Sequence, residues 1–130
     1  MAIPIKFGTD GWRAIIADEY TVENVKRVAE ATALFMKKHK MKKVVIGHDC
    51  RFGGKLFTAV TARVLGHYGI KCHVAEGFVS TPMISLGVVK LKADLGIVIT
   101  ASHNPPSYNG YKLKASYGGP SSPADITELE

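Results

Sequence analysis

Leu95-Gly96-Ile97-Val98-Ile99, followed at once by Thr100-Ala101-Ser102-His103-Asn104-Pro105-Pro106, is the stretch whose reading decides the fold. Five apolar or small residues bounded by polar ones read as a buried strand. The segment that follows sets a hydroxyl, Ser102, at the mouth of that strand beside an imidazole and an amide. Two prolines then prevent a helix from starting normally. A serine in a polar, proline-braced loop at a strand end is where an α/β protein places chemistry.

The pattern around this stretch agrees. Residues 21 to about 39 read as an amphipathic helix, with Thr21 as cap, Glu23 in the first turn, and Lys37, Lys38 and His39 in the last. Val22, Val25, Val28, Ala29, Ala33 and Met36 recur at helical spacing. Val44-Val45-Ile46, stopped by Gly47, predicts a short buried strand. Leu56, Val60, Val64 and Leu65 mark a second helix, closed by Gly69 in a left-handed conformation. Ile70, Cys72 and Val74 alternate as a strand, and Thr81-Pro82 opens a third helix ending near Leu91. A last strand is expected over residues 111–115. Asn109-Gly110 before it reads as a turn that folds Lys112 back toward Ser102.

Strand and helix therefore alternate. The expected fold is a three-layer α/β/α domain, with helices on both faces of a mixed, largely parallel sheet of about four strands. Ligands of such sheets gather at the carboxyl ends of the strands. His48-Asp49-Cys50-Arg51, Glu76-Gly77 and Ser102-His103-Asn104 all follow strands in this reading and are expected on one edge.

Bulk composition narrows the class. The chain has 130 residues, 46% hydrophobic and 22% charged, with a net charge of +6. That is one globular domain with a basic surface suited to an anionic partner. Two cysteines, Cys50 and Cys72, without CxxC spacing fit a reduced, cytoplasmic protein. No apolar run of about 18 residues exists, and no leader pattern, so membrane spanning and secretion are not expected. His39, His48, His67, His73 and the cysteines lack paired metal-ligand spacing. Neither G-x-G-x-x-G nor a Walker lysine loop is present, and basic residues are not interleaved with aromatics; nucleotide and nucleic-acid partners are not expected. Tyr117-Gly118-Gly119-Pro120-Ser121-Ser122-Pro123 is turn-rich, and Ser122-Pro123-Ala124-Asp125 resembles a capped helix start. Only residues 124–130 of that helix are present, which predicts a domain cut from a longer protein.

Three constellations carry candidate chemistry. Ser102 is the leading nucleophile. His103 beside it does not make a hydrolase dyad, because sequence neighbours point apart and the G-x-S-x-G elbow is missing. A further general base or a metal is needed. Phe7-Gly8-Thr9-Asp10-Gly11-Trp12-Arg13 reads either as a phosphate-holding loop or as a hairpin whose Trp12 packs. In the first case Gly8 and Gly11 permit tight backbone turns, while Thr9, the peptide N–H groups and the Arg13 fork hold the anion. Lys112 is suited to neutralising a transferring phosphoryl group or shuttling a proton.

Together these segments resemble the α-D-phosphohexomutase family, in particular domain I of phosphoglucomutase/phosphomannomutase enzymes. Phe7-Gly8-Thr9-Asp10-Gly11-Trp12-Arg13 is similar to the family's G-T-(D/S)-G-x-R segment. Gly47-His48-Asp49-Cys50-Arg51 is similar to its G-x-D-x-R segment. Thr100-Ala101-Ser102-His103-Asn104-Pro105, with Tyr108-Asn109-Gly110-Tyr111-Lys112, matches its active-serine loop. Ala14 stands where many members have glycine, and His48 where tyrosine is frequent.

The resemblance implies an isomerase that interconverts glucose or mannose 1- and 6-phosphates through a bisphosphorylated sugar. Ser102 would carry the phosphoryl group, and its phosphate would ligate the Mg²⁺. Arg13, Lys112 and His103 would serve catalysis; Thr9, Gly11, Arg13, Asn104 and Lys112 would bind substrate. A glucose 1,6-bisphosphate-type intermediate would act as activator. The remaining metal ligands and sugar-selecting loops would belong to other domains of the parent, leaving this piece inactive alone. Thr100, where the phosphoglucosamine branch favours serine, leans toward glucose or mannose. A serine phosphatase and a non-catalytic anion-binding module are the alternatives.

Overall fold

In a computed structural model, residues 4–8 and 11–122 are described. Thr9, and the expected helix start at 122–125 beyond Ser122, lie outside them. The elements run β1 (Trp12–Ile15), α1 (Val22–Lys38), β2 (Lys43–His48), α2 (Gly54–His67), β3 (Lys71–Phe78), α3 (Thr81–Lys90), β4 (Leu95–Ile99) and β5 (Tyr108–Ala115).

The sheet is mixed and holds five strands in the order β1-β5-β4-β2-β3, one more than expected. β2 pairs in parallel with β3 and β4, whereas β5 pairs antiparallel with β4 and β1. The added strand is β1, whose residues read as loop because four positions are too few for an alternation to register. β4 lies at the centre, and all five of its residues are buried.

Helices α1 and α2 cover one face. Val25, Val28, Met36, Phe57, Val60 and Leu65 pack there with Ile46, Ile97, Ile99, Tyr111 and Leu113. α3 covers the other, setting Ile84 and Val88 against Val45 and Val98. Sequence periodicity locates α1 well: Thr21 caps it, its hydroxyl accepting from Asn24 N at 3.2 Å. For α2 the packed positions are Phe57, Val60, Thr61 and Leu65, whereas Leu56 is exposed. Gly69 follows its end at φ +80°.

Three further expectations are corrected. Ser80, not Thr81, caps α3 through Met83 N, and Thr81 is already helical. Glu76 and Gly77 lie inside β3, which continues to Phe78 because β2 extends to His48 beside it. Asn109-Gly110 is not a turn. Both residues sit within β5, paired with Ala14 and Arg13. Cross-strand pairing overrides the local turn preference here. Gly110 is required for a different reason: a Cβ there would lie 2.4 Å from Thr100 O and 2.7 Å from Trp12 O.

Tyr20 ties the β1 edge to the core. It stacks on Trp12 with ring centroids 4.7 Å apart and meets Phe57 edge-on at the same spacing. Its hydroxyl donates to Gly110 O at 2.7 Å. Burial pushes the Tyr20 and Tyr111 phenols well above their ordinary range, so both stay neutral donors. No helix among the described residues is long and apolar enough to cross a membrane.

Candidate active-site loop

β2 and β4 are parallel neighbours, so their carboxyl ends share one edge, where Asp49 N donates to Ile99 O at 3.3 Å. The chain leaving β4 turns through residues 100–107 and re-enters the sheet as β5. That loop carries Ser102 and is anchored at both ends. Thr100 N donates to Gly110 O at 3.1 Å, and Ile16 N to Ser107 O at 2.7 Å.

Ser102 is exposed and adopts φ +52°, a left-handed conformation that costs a non-glycine residue about 1–2 kcal/mol. Its peptide groups are held from both sides. Ser102 N donates to Thr100 Oγ1 at 3.0 Å, and Thr100 Oγ1 in turn donates a short hydrogen bond to Asp49 Oδ2. On the carbonyl side, Arg51 Nη2 donates to Ser102 O at 2.8 Å.

Arg51 reaches further along the same loop. Nη2 also donates to Asn104 O at 2.6 Å, while Nη1 donates to Pro105 O at 2.8 Å and Tyr108 O at 3.1 Å. Asp49 steadies the arginine in return: Oδ1 accepts from Arg51 N at 3.1 Å and Oδ2 lies 3.6 Å from Nε. Only 12% of the Arg51 side chain is exposed, so this ion pair and its hydrogen bonds are largely shielded from water.

Arg13 arrives from β1. Its Nη1 donates to Asn104 Oδ1 at 2.5 Å, which brings the charged candidate of the first segment onto the serine loop. Trp12 and Ala14 pack into the α1/α2 face, so alternation sends Arg13 to the opposite face, paired with Gly110. Lys112 shares that face two residues along β5, paired with Val98 and half-buried. It reaches this place by strand pairing rather than by the expected turn. Gly11, at φ +91°, abuts it; a Cβ on Gly11 would lie 2.6 Å from Tyr111 O and 3.1 Å from Lys112 Cα.

Gly8 and Gly11 exchange backbone hydrogen bonds of 3.1 and 3.3 Å. Thr9, the anion-holding candidate that follows Gly8 in sequence, lies outside the described residues. His103 is exposed on the serine loop, and none of the loop's hydrogen bonds described above runs to it. Ser102, Asn104 and Arg13 are therefore gathered into one group, with Lys112 and Gly11 as a neighbouring pair. Glu76 is exposed on β3, beyond β2 from the serine loop.

Arg51 and Asp49 are the residues that sequence reasoning passes over. It sets both on the correct edge and matches the Gly47-His48-Asp49-Cys50-Arg51 segment to the family, but it assigns neither a role. An acid and a base two residues apart just after a strand is the available signal. Among the described residues, no group of three His, Cys, Asp or Glu side chains could hold a metal ion.

What this arrangement can do chemically is specific. It presents the exposed Ser102 hydroxyl on a fixed loop, with guanidinium and ammonium groups on the adjoining sheet face, as transfer of a dianionic group requires.

Comparison with known proteins agrees with this geometry. Residues 4–130 match the family model described as phosphoglucomutase/phosphomannomutase, alpha/beta/alpha domain I. A Methanosphaera stadtmanae protein named "Probable phosphoglucosamine mutase" is 45% identical over 118 residues, covering 90% of this chain and 25% of that protein. The phosphoribomutase of Saccharomyces cerevisiae is 38% identical over 122 residues, covering 88% of this chain and 20% of its own. A solved structure from Thermus thermophilus that bears a phosphomannomutase name superposes with a TM-score of 0.97. It is 40% identical and covers 99% of this chain and 30% of that one. The chain thus spans about a quarter of the length of the curated relatives it matches.

Proposed function

This chain belongs to the phosphoglucomutase/phosphomannomutase family as its α/β/α domain I, and from that premise we propose that it is the phosphoserine-carrying domain of a sugar-phosphate mutase. The observation that carries the reading is Ser102 itself: exposed, in a left-handed conformation, and held on both sides of its peptide by Thr100 and Arg51.

In the proposed cycle the Ser102 Oγ carries a phosphoryl group at rest. A free hydroxyl of a sugar monophosphate attacks the phosphorus; the new O–P bond forms as the P–Oγ bond breaks. Oγ keeps the electron pair, and the hydroxyl proton passes to a base. The bisphosphorylated sugar reorients, and Ser102 Oγ attacks its other phosphate: the new P–Oγ bond forms as that sugar O–P bond breaks, and the sugar oxygen takes back the proton held by the base. The serine is restored in phosphorylated form and the sugar leaves as the isomer.

Positioning and charge neutralisation dominate such transfers. Arg13 anchors the loop through Asn104 and, with Lys112 on the same sheet face, supplies positive charge. If Mg²⁺ is bound, as the resemblance implies, the Ser102 phosphate would be one of its ligands and the ion would add positive charge opposite the transferring group. The relatives' names span glucosamine, ribose and glucose mutases. The substrate class is accordingly a phosphorylated sugar; within it, Thr100 puts glucose or mannose phosphate first and glucosamine phosphate next. The parent is placed in the cytoplasm, and this domain alone does not turn over substrate.

Ser102→Ala in the longer protein tests the proposal. Glucose 1-phosphate to 6-phosphate conversion should fall to background, and intact mass should lose one phosphate. Retained mutase activity would overturn it in favour of a binding module. Phosphate release without isomerisation in the unaltered protein would favour a phosphatase.

A further inference from the structure

We infer that Arg51 is the positioning residue of the serine loop: it presets the phosphoryl-carrying Ser102 without touching the transferred group. The inference rests on the mutase reading above and adds a residue to it.

The geometry is that of a loop wrapped around one guanidinium. The carbonyls of Ser102, Asn104, Pro105 and Tyr108 all converge on Nη1 and Nη2. Four carbonyl oxygens brought together repel one another unless a cation with several donors sits between them. Arginine suits this place because its five donors lie in a rigid planar fork and its charge is permanent. With Nη1 and Nη2 each donating to two carbonyls and Nε beside Asp49, the group is committed to the backbone. Its work is therefore to hold geometry.

What it holds is the one strained residue of the loop. The left-handed backbone at Ser102 persists because Thr100 Oγ1 fixes its N–H and Arg51 fixes its C=O. Asp49 links the two, accepting from Thr100 and facing Arg51. Removing the fork frees the carbonyl side. Ser102 then relaxes, and Oγ leaves the position shared by both phosphoryl transfers. Substrate binding depends on other groups and should not change.

The experiment compares Arg51→Lys and Arg51→Ala in the longer protein, using glucose 1-phosphate, with thermal unfolding monitored in parallel. Lysine keeps the charge but cannot serve four carbonyls in a plane. We expect kcat to fall about 100-fold or more, the scale set by small misplacements of a reacting group, with KM within about twofold of the unaltered protein. Millimolar guanidinium ion added to Arg51→Ala should recover at least roughly tenfold of the lost turnover by refilling the fork's place. Because Arg51→Ala can fail to fold, Arg51→Lys is the deciding variant. If Arg51→Lys keeps more than a third of kcat, or loses activity through KM alone, the inference is overturned. The two levels separate cleanly. An active Ser102→Ala overturns the mutase reading, whereas an inactive Ser102→Ala beside an active Arg51→Lys overturns only the role of Arg51.

Discussion

Gly110→Ala is the perturbation that probes most directly how this sheet is built. Gly110 sits in β5 with β1 on one side and the exit of β4 on the other. An added methyl would lie 2.4 Å from Thr100 O, 2.7 Å from Trp12 O and 3.1 Å from Arg13 Cγ. Carbon–oxygen contacts are comfortable at about 3.3 Å or more, so the methyl would overlap two backbone oxygens by roughly 0.6–0.9 Å. Neither oxygen can swing away as a side-chain end would; relief requires β1 or the start of the serine loop to move. The cost belongs at the top of the overpacking range, about 3 kcal/mol. An unfolding entropy of about 2.1 cal/mol/K per residue gives roughly 0.27 kcal/mol/K for a chain this long, so Tm should fall by about 11 °C. Thermal unfolding followed by circular dichroism measures this, with urea titration as the isothermal check. An Asn-Gly turn open to solvent would lose about 1–2 kcal/mol on the same substitution, or about 4–7 °C. A fall of about 7 °C or less would therefore refute the placement of Gly110 between two strands.

Two further outcomes follow from the same structure. Thr21→Ala removes the hydroxyl that accepts from Asn24 N and should cost about 1 kcal/mol, read as a lower urea midpoint; no change would mean that water replaces the cap. Tyr20 and Tyr111 hold their protons more tightly folded than unfolded. Their stabilisation is thus fully present below about pH 10 and is lost as pH rises above it, by about 1.4 kcal/mol per pH unit for each phenol. Tyr111→Phe deletes one of the two titrations and the 2.8 Å bond to Thr32. Its urea stability should start lower at pH 8 and decline less steeply between pH 10 and 11; equal slopes would show that Tyr111 ionises without cost.

Much of the architecture is legible because its signals are local. Thr21 with Glu23, and the Val25, Val28, Ala29, Ala33 and Met36 stripe, lie within a few turns of one another and mark α1 nearly to the residue. Leu95 to Ile99 is apolar throughout because both faces of the central strand are covered. Ser102, placed by its neighbours at the mouth of that strand, is where the structure has it. The misreadings share the opposite property. Leu56 looks like core by composition, yet its position on the helix turns it to solvent. Asn109-Gly110 carries the strongest turn signal in the chain, and only β1, almost a hundred residues earlier, explains why it is strand.

By itself, the sequence determined the alternation of strand and helix, the hydroxyl at the end of β4, and the family of the motifs around it. Those depend on spacing, caps and apolar runs, which act over one to four residues. Only the tertiary structure decided that β1 closes the sheet, that Arg13 reaches Asn104, and that Arg51 gathers four carbonyls of the serine loop. Each is a contact between segments roughly 50 to 100 residues apart, and the four carbonyls that Arg51 gathers are backbone oxygens. Backbone oxygens are alike at every position, so nothing in residue identity says which of them an arginine will find. The fold makes that choice by bringing the ends of β2 and β4 to the same edge.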